Sequence, residues 1–277
     1  MKIVIVGLGV IGGSFAMALR ESGYNEVYGI DIDEKTIKKA IEMNLIKDGS
    51  TNGEYLLKNA DLVIISIYPK LIKKFIKENN HNFKDGSIIT DTTGIKRLFI
   101  NEIRDVIPQN VDFIFGHPMA GREKKGLDFA SKDVFKNANY ILVDTEYNKS
   151  KNIDILENII YSIGFSKIKK VSSQFHDEII SFTSQLPHVL SVALINSDEE
   201  GRETGDYIGD SYRDLTRIAN INEDLWCELF MGNKENLLNS IDRFINQLYC
   251  LKESIENNND SFLIEQFRKA SKRRQKL

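Results

Sequence analysis

The pattern of apolar and polar positions divides the chain into two parts. Over the first 170 residues, short runs rich in valine and isoleucine alternate with longer segments in which apolar residues recur at helical spacing. The runs predict strands, because β-branched side chains favour extended backbone and unbroken apolar runs suit a sheet buried on both faces. The predicted strands are residues 3–6, 27–30, 62–65, 87–90, 112–115 and 140–143. The predicted helices between them are residues 11–21, 34–43, 70–78, 96–106 and 149–163.

This alternation of strand and helix predicts an α/β fold: a Rossmann-type, doubly wound parallel sheet with right-handed connections. After about Ser172 the strand pattern stops and only helical segments follow. We therefore predict a nucleotide-binding domain over residues 1–170 and an all-helical domain over residues 171–277, which would bind substrate and form a dimer. Residues 179–195 are apolar on nearly every side, so this helix is expected to be buried, within the domain or against a second subunit.

The composition is that of an ordinary globular protein. With 42% hydrophobic residues, 28% charged residues and a net charge of -3, the chain fits neither a disordered protein nor one attracted broadly to nucleic acid. Cys227 and Cys250 lack metal-ligand spacing, so we expect buried thiols and no metal. No secretion signal follows Met1 and no run of 18 apolar residues occurs, so a cytoplasmic location without membrane contact is expected.

A glycine-rich turn follows the first predicted strand and opens the first predicted helix. Its residues are Gly7, Leu8, Gly9, Val10, Ile11 and Gly12. In such a GxGxxG turn the glycines permit the tight turn, the approach of backbone to a pyrophosphate, and close packing of helix on strand. Asp31 ends the second strand, where a carboxylate accepts hydrogen bonds from ribose and repels a 2′-phosphate. The pattern predicts NAD as cofactor; the alternative is a glycine turn without a ligand. Asp33 is predicted to cap the following helix.

Among the four histidines, His117 has the position best suited to chemistry. It lies beyond the carboxyl end of the predicted strand 112–115, where open α/β sheets bind ligands, and Pro118 restricts its backbone. An imidazole titrates near neutrality, so it can accept the proton of an alcohol whose carbon gives up hydride. We predict that His117 is a general base; the alternative is a structural histidine at a strand end. His81, in a polar stretch, is interpreted as a solvated loop residue.

Four segments in order resemble the prephenate dehydrogenase family. They are DTTGIK at 91–96, the GHPxxGxE pattern at 116–123, HD followed by SQLPH within 176–188, and YRDLTRIA at 212–219. The resemblance spans both predicted domains. It implies a homodimeric, NAD-dependent enzyme of tyrosine biosynthesis that oxidises and decarboxylates prephenate. Alternatives are arogenate as substrate, another β-hydroxyacid-type dehydrogenase, for which the helix 179–195 lacks a lysine, and a non-catalytic nucleotide sensor.

The resemblance also implies roles for individual residues. His117 would deprotonate the ring hydroxyl of the substrate, His188 would be a second active-site histidine, and Arg217 would bind a substrate carboxylate bidentately. Without the resemblance, the apolar helix favours a core position for His188. The other candidates are Thr93, Gly94, Glu123 and Arg213 for substrate and Ser66 and Thr92 for the cofactor.

Some positions depart from the family or stay open. Gly94 stands where many members have serine, so a hydroxyl contact would come from Thr92 or Thr93, or be absent. Gln185 stands where histidine is frequent. Arg213 could share an anion with Arg217, one helical turn away, or pair with Asp210 or Asp214 at the surface. Trp226 could lie near the substrate or anchor a core or an interface, and His176 could be an active-site residue or a helix cap.

Overall fold

A computed structural model describes residues 1–122 and 124–276. It contains one eight-stranded sheet. Its strands are β1 (Ile3–Val6), β2 (Val27–Ile30), β3 (Asp48–Ser50), β4 (Leu62–Ile65), β5 (Ile88–Asp91), β6 (Asp112–Pro118), β7 (Asn139–Val143) and β8 (Lys167–Val171). The accompanying helices are α1 (Val10–Glu21), α2 (Glu34–Glu42), α3 (Glu54–Leu57), α4 (Pro69–Glu78), α5 (Arg97–Ile103) and α6 (Ser150–Ser162). The predicted α/β fold with a mainly parallel sheet is confirmed.

The strands lie in the order β3-β2-β1-β4-β5-β6-β7-β8. The first six thus follow the 3-2-1-4-5-6 order of dinucleotide-binding sheets. In this order the strands are added toward one edge up to β3 and toward the other edge from β4 onward, so β1 and β4 flank the point of reversal. In β1, Ile3 and Ile5 belong to the apolar cluster on one face of the sheet, and Val4 and Val6 belong to the cluster on the other. Burial on both faces is the reason why these strands have unbroken apolar sequences.

The sheet differs from the prediction at its far edge. β7 runs antiparallel to β6, because the segment between them forms only two short 3-10 helices, Leu127–Phe129 and Lys132–Phe135, where a parallel pair needs a long crossover. β3 and β8 were not predicted. β3 is three residues long, and β8 has the polar sequence KIKKV of a partly exposed edge strand.

Four helices follow the sheet: α7 (Ser173–Ile180), α8 (Leu186–Asn196), α9 (Asp210–Thr216) and α10 (Glu223–Gly232). A π-helical turn, Ser181–Gln185, joins α7 to α8. By its internal contacts the chain divides into two compact units, Met1–Asn233 and Lys234–Leu277. The second unit consists of α11 (Lys234–Glu256) and α12 (Asp260–Arg274). The domain boundary near residue 170 stays a prediction.

The expected burial of residues 179–195 is wrong for a single chain. Ile180 and Leu186 are buried, but Phe182 is 59% exposed and Ile195 is 41% exposed, because only one face of the helix packs on the rest of the chain. Within the described residues, Ser173–Asn196 is also the one helix that is long and apolar enough to cross a membrane, and 28% of its apolar window is buried. Core helices of soluble proteins meet the same criterion.

The expected burial of the two thiols is also wrong. Cys227 in α10 and Cys250 in α11 are both exposed and unpaired in the single chain. Cysteine is among the most buried residue types on average, and that average was the basis of the prediction.

Candidate active site

The glycine turn between β1 and α1 has the geometry that close approach of a ligand requires. Gly7 has a φ of +88°, and a Cβ there would lie 2.5 Å from the Ser66 carbonyl oxygen. At Gly12 a Cβ would lie 1.8 Å from the Gly7 oxygen, whereas at Gly9 it would meet no protein atom within 4 Å. Gly7 and Gly12 are therefore required by the protein's own packing. The open space beside Gly9 is available to a ligand.

Asp31 lies next to this turn. Its Oδ2 accepts a hydrogen bond of 2.7 Å from the Leu8 backbone N–H, which ties the end of β2 to the turn after β1. Leu8 itself contributes only backbone here, since its side chain is buried in the core. Asp33 caps α2 as predicted, accepting from Lys35 and Thr36 backbone N–H groups. Asp31 is thus the carboxylate positioned to meet a ribose.

Substitutions at Gly9 and Gly12 should separate ligand binding from folding. Gly12→Ala should lower the free energy of unfolding by about 3 kcal/mol, because its Cβ overlaps backbone that cannot move aside. Gly9→Ala should leave stability unchanged and weaken dinucleotide binding by about tenfold or more. Urea denaturation and titration calorimetry measure the two effects. Equal loss of stability in both variants would contradict the assignment.

A cavity of about 570 Å³ opens at the carboxyl ends of the central strands. The sheet side contributes Gly9, Val10, Ile11, Ser66, Thr92, Thr93, Gly94 and His117. The helical side contributes Ser184, Gln185, Pro187, His188, Arg217 and Trp226. His117 and Arg217, which lie far apart in sequence, therefore share one cavity, as the prediction required.

The described lining of the cavity is rich in basic residues, although the net charge of the protein is -3. Its described lining includes Arg122, Lys124, Lys125 and Arg217, and no acidic residue is found among these described lining residues. One of the four, Lys125, lies 3.7 Å from the exposed carboxylate of Glu223. Cationic groups around a recess concentrate positive potential, which attracts anions even when the net charge is -3.

His117 is the first member of a buried chain of hydrogen bonds. It lies near the end of β6, and its Nδ1 is 2.8 Å from Nε2 of His176 in α7. His176 is fully buried, and its Nδ1 is 2.7 Å from Oδ1 of Asp177. Burial lowers the pKa of His117 well below the ordinary 6.5, and the neighbouring His176 and Lys96 lower it further. His117 is therefore neutral at pH 7, as a general base must be.

A buried ion pair lies near this chain of hydrogen bonds and influences the pKa values of both histidines. Lys96 and Asp91 are both completely buried, and the Lys96 Nζ lies 2.7 Å from Asp91 Oδ2. Lys96 also donates to the carbonyl and the hydroxyl of Thr93, each at 2.8 Å. Burial lowers the pKa of Lys96, and the Asp91 carboxylate opposes that shift. Thr93 lines the cavity, but its hydroxyl is already engaged inside the protein.

His188 lies at the cavity wall, where the resemblance had implied it. Its Nδ1 donates to the Ser184 carbonyl oxygen at 2.8 Å, within the π turn that precedes α8. Its ring stacks on Trp226, with centroids 3.5 Å apart and planes inclined by 29°. Such π turns occur frequently at functional sites. Trp226 therefore contributes to the cavity and holds the His188 ring.

The remaining candidates divide into those at the cavity and those outside it. Thr92 donates to the Ser66 hydroxyl at 3.2 Å, which joins the ends of β4 and β5. Gln185 lines the cavity, but its amide donates to Leu229 O and accepts from Asn233, so it ties helices together. Arg213 is exposed outside the cavity and pairs with Asp210 at 3.2 Å. Glu123 lies outside the described residues.

Sequence reasoning missed how His176 and Asp177 act. The cap of α7 is Ser172, whose hydroxyl accepts from the Phe175 N–H, so the capping alternative for His176 is wrong. The only signal in the sequence was a His-Asp pair at the first turn of a helix, and such pairs are also common in ordinary caps. Their role depends on α7 packing against the end of β6, which a local pattern does not reveal.

The strand order and the glycine turn after β1 define a Rossmann-type nucleotide-binding protein. A neutral histidine that lines the same cavity as this turn can serve as the general base of a dehydrogenase. The sequence profile of the prephenate dehydrogenase nucleotide-binding domain matches residues 15–169, and that of the prephenate dehydrogenase dimerization domain matches residues 172–269. The chain belongs to the prephenate dehydrogenase family.

Individual relatives are similar to this protein over all or nearly all of its length. The prephenate dehydrogenase of Bacillus subtilis (strain 168) is 26% identical over 274 residues, 97% of this chain and 74% of that protein. The A. aeolicus prephenate dehydrogenase, solved with hydroxyphenyl propionate and NAD+, has a TM-score of 0.89 at 28% identity and covers 100% of this chain and 98% of its own. Synechocystis arogenate dehydrogenase has a TM-score of 0.83 at 27% identity, covering 100% and 99%.

Proposed function

We propose that this protein catalyses the NAD-dependent oxidative decarboxylation of prephenate to 4-hydroxyphenylpyruvate, in tyrosine biosynthesis. The observation that carries the proposal is the single cavity in which His117 and Arg217 face the turn at Gly9. A base, an anion-binding group and a dinucleotide turn are the three elements that the reaction needs. The solved relative with NAD+ and a hydroxyphenyl acid supports the same assignment.

The residues present fit a bound NAD. The pyrophosphate would lie in the open space beside Gly9, at the amino end of α1, where unpaired N–H groups favour anions. Asp31 would accept hydrogen bonds from the adenosine ribose, and its charge would disfavour the 2′-phosphate of NADP. Ser66 and Thr92 line the same cavity as this turn and His117. When bound, the cofactor supplies an acceptor for hydride.

His117 handles the proton of the reaction. As the carbinol C–H bond breaks with loss of hydride, His117 accepts the hydroxyl proton and becomes an imidazolium. The bond to the ring carboxylate then breaks, CO2 leaves, and the electron pair of that bond completes the aromatic ring. His117 returns its proton to the resulting phenolate oxygen, so the base is regenerated in each cycle.

Arg217 orients the substrate through its side-chain carboxylate. Only interactions that strengthen in the transition state raise turnover, so a tight grip on the departing ring carboxylate would slow its loss. A guanidinium on the pyruvyl carboxylate avoids this penalty and fixes the ring. His188, held by Trp226 and Ser184, lines the same cavity and is a second polar residue on its helical side.

Arogenate is the alternative substrate, because an arogenate dehydrogenase is also among the similar structures. The two substrates differ only at the side chain, which is a pyruvyl group in prephenate and carries an ammonium in arogenate. The cations that line the cavity favour the pyruvyl group. Parallel steady-state kinetics with both substrates and with NAD and NADP tests the proposal. A higher kcat/KM for arogenate would overturn the substrate assignment, and no turnover of either would overturn the function.

The pH dependence should report the depressed pKa of His117. The active form is the neutral ring, so kcat/KM should be constant near pH 7 and fall only as the pH drops through a value below 6.5. The titratable groups that act on the ring are His176 in α7 and Lys96, the residue before α5, and Asp177 and Asp91 act in turn on His176. A pH profile of kcat/KM measures the acid limb. A midpoint above 6.5 would contradict this environment for the base.

We also propose that the protein is a homodimer in the cytoplasm. The dimerization-domain profile covers residues 172–269, and the helix within it leaves Phe182, Leu194 and Ile195 exposed in the single chain. Covering that apolar face with a second copy would bury it. Sedimentation at twice the chain mass of 31.7 kDa is expected, and a monomer at micromolar concentration would overturn the proposal.

A further inference from the structure

We propose that His176 and Asp177 are positioning residues that fix the tautomer of His117, so that its Nε2 carries no proton and is ready to receive one from the substrate. This inference rests on the proposed function for its catalytic meaning. The tautomer itself is a property of the protein alone. The hydrogen bonds that determine it run from the backbone of α5 outward to the cavity.

The first step fixes Asp177 as an acceptor. Its Oδ1 accepts from the Lys96 backbone N–H at 2.9 Å, and its Oδ2 accepts from the Arg97 backbone N–H at 2.8 Å. Backbone N–H groups can only donate, so both oxygens must accept. The two N–H groups also begin α5, where a negative charge is stabilised. These two N–H donors at the start of a helix favour the ionised form, so we assign Asp177 as a carboxylate and the Nδ1 of His176 as its donor.

The second step assigns the donor and the acceptor in the hydrogen bond between His176 and His117. A neutral imidazole that donates through Nδ1 has an unprotonated Nε2, which can only accept. Burial lowers the pKa of His176, which keeps the ring neutral. Since His176 Nε2 is 2.8 Å from His117 Nδ1, the proton between them belongs to His117. His117, itself neutral, then has its lone pair on Nε2.

The third step concerns Gly94. A Cβ at this position would lie 3.8 Å from His117 Nε2 and 3.3 Å from a methyl carbon of Leu229. Glycine has no side chain, so this position supplies no hydroxyl that could hold the ring from the cavity side. Within the part of the chain that the structure describes, the hydrogen bond of the His117 ring is the one from its Nδ1 to His176, which leads on to Asp177.

The same chain of hydrogen bonds stabilises the protonated base. When His117 takes the hydroxyl proton on Nε2, its Nδ1–H continues to donate to His176, and the positive charge faces the Asp177 carboxylate through one intervening ring. No proton needs to move along the chain. The arrangement follows the logic of catalytic triads, in which an acid holds the base in the productive tautomer and offsets its charge.

The tautomer can be observed without substrate. With only four histidines in the chain, two-bond 1H–15N spectra of protein labelled at the imidazole nitrogens can be assigned by comparison with His117→Asn. At pH 7.5 the His117 ring should show a protonated Nδ1 and a bare Nε2. A protonated Nε2 in the wild-type protein would overturn the inference, whatever its activity.

Two substitutions of His176 separate hydrogen bonding from packing. The glutamine amide in His176→Gln can donate to Asp177 and accept from His117, whereas His176→Leu fills the space without an acceptor. We expect kcat to fall by roughly 100-fold or more in His176→Leu and by less than about tenfold in His176→Gln, with KM little changed in both. The Leu variant should also populate the protonated Nε2 form of His117. Equal kcat in the two variants, or a better Leu variant, would show a packing role and overturn the inference.

The experiment separates this inference from the proposed function. Turnover of prephenate or arogenate by the wild-type protein tests the function, and the spectrum of the wild-type protein tests the tautomer. Glu178→Gln, a change in an exposed neighbour on the same helix, is the matched control and should leave both the spectrum and kcat unchanged. Should the Leu variant fail to fold, the wild-type spectrum and the Gln variant still decide the question.

Discussion

His117→Asn is expected to lower kcat by roughly 1000-fold while nucleotide affinity stays within about twofold. An asparagine amide can still donate to His176, so the partly buried hydrogen bond of 2.8 Å has a replacement partner and the fold should be kept. The amide cannot accept a proton near neutral pH, so the hydroxyl proton of the substrate would have no base. Absorbance of NADH with prephenate measures turnover, and calorimetry with NAD alone measures binding.

The matched control is His81→Asn. His81 is exposed in the 3-10 turn Asn80–Asn82, away from the cavity, and should show wild-type kinetics. A His117→Asn variant with near wild-type kcat and an unchanged pH profile would remove His117 from the mechanism. Loss of NAD binding together with turnover would instead indicate a disturbed fold.

Much of the sheet could be predicted from the sequence because its central strands are buried on both faces. The bounds of β1, β2 and β4 agree with the predicted runs to the residue, since burial on two faces leaves an unbroken apolar signature. That signature fades toward the edges. β8 is partly exposed and rich in lysine, and β3 is a strand because it pairs with β2. The composition of neither segment therefore predicts a strand.

The site was predictable where a residue's role follows from its position on one element. His117 follows from its place at the end of a strand, and Asp31 from its place at the end of the next strand after the turn. His176 does not, because its partner is 59 residues away and only tertiary packing brings the two rings together. The resemblance supplied His188, which the apolar sequence around it would have assigned to a core.

The two arginines show the limit of helical periodicity. Four residues apart, they were expected to share one face of a helix. The helix α9 ends at Thr216, however, and the chain continues as the 3-10 turn Arg217–Ala219. Thr216, with φ -99° and ψ -5°, departs from α-helical backbone geometry, so the regular helical spacing of side chains is interrupted just before Arg217. Arg217 lines the cavity and Arg213 remains at the surface.

Arg217→Ala is therefore expected to raise the KM for prephenate by about 100-fold and to change kcat by less than about fivefold. The guanidinium binds a carboxylate of the substrate that takes no part in bond breaking or bond formation. Its binding energy is therefore nearly equal in the ground state and the transition state. Arg217→Lys should recover only part of the affinity, because an ammonium lacks the two parallel N–H groups. Initial rates over a range of prephenate concentrations at saturating NAD measure both constants.

Arg213→Ala is the matched control, since it removes the same side chain four residues earlier, outside the cavity. Its KM should stay within about twofold of wild type, because an exposed pair with Asp210 has little influence on a site it does not line. If both alanine variants raised KM equally, the arginines would act as one anion site, and the position of Arg213 in a single chain would not describe the active enzyme. If Arg217→Ala lowered kcat and left KM unchanged, the guanidinium would act on the ring carboxylate or the transition state, and its assignment to the side chain of the substrate would be wrong.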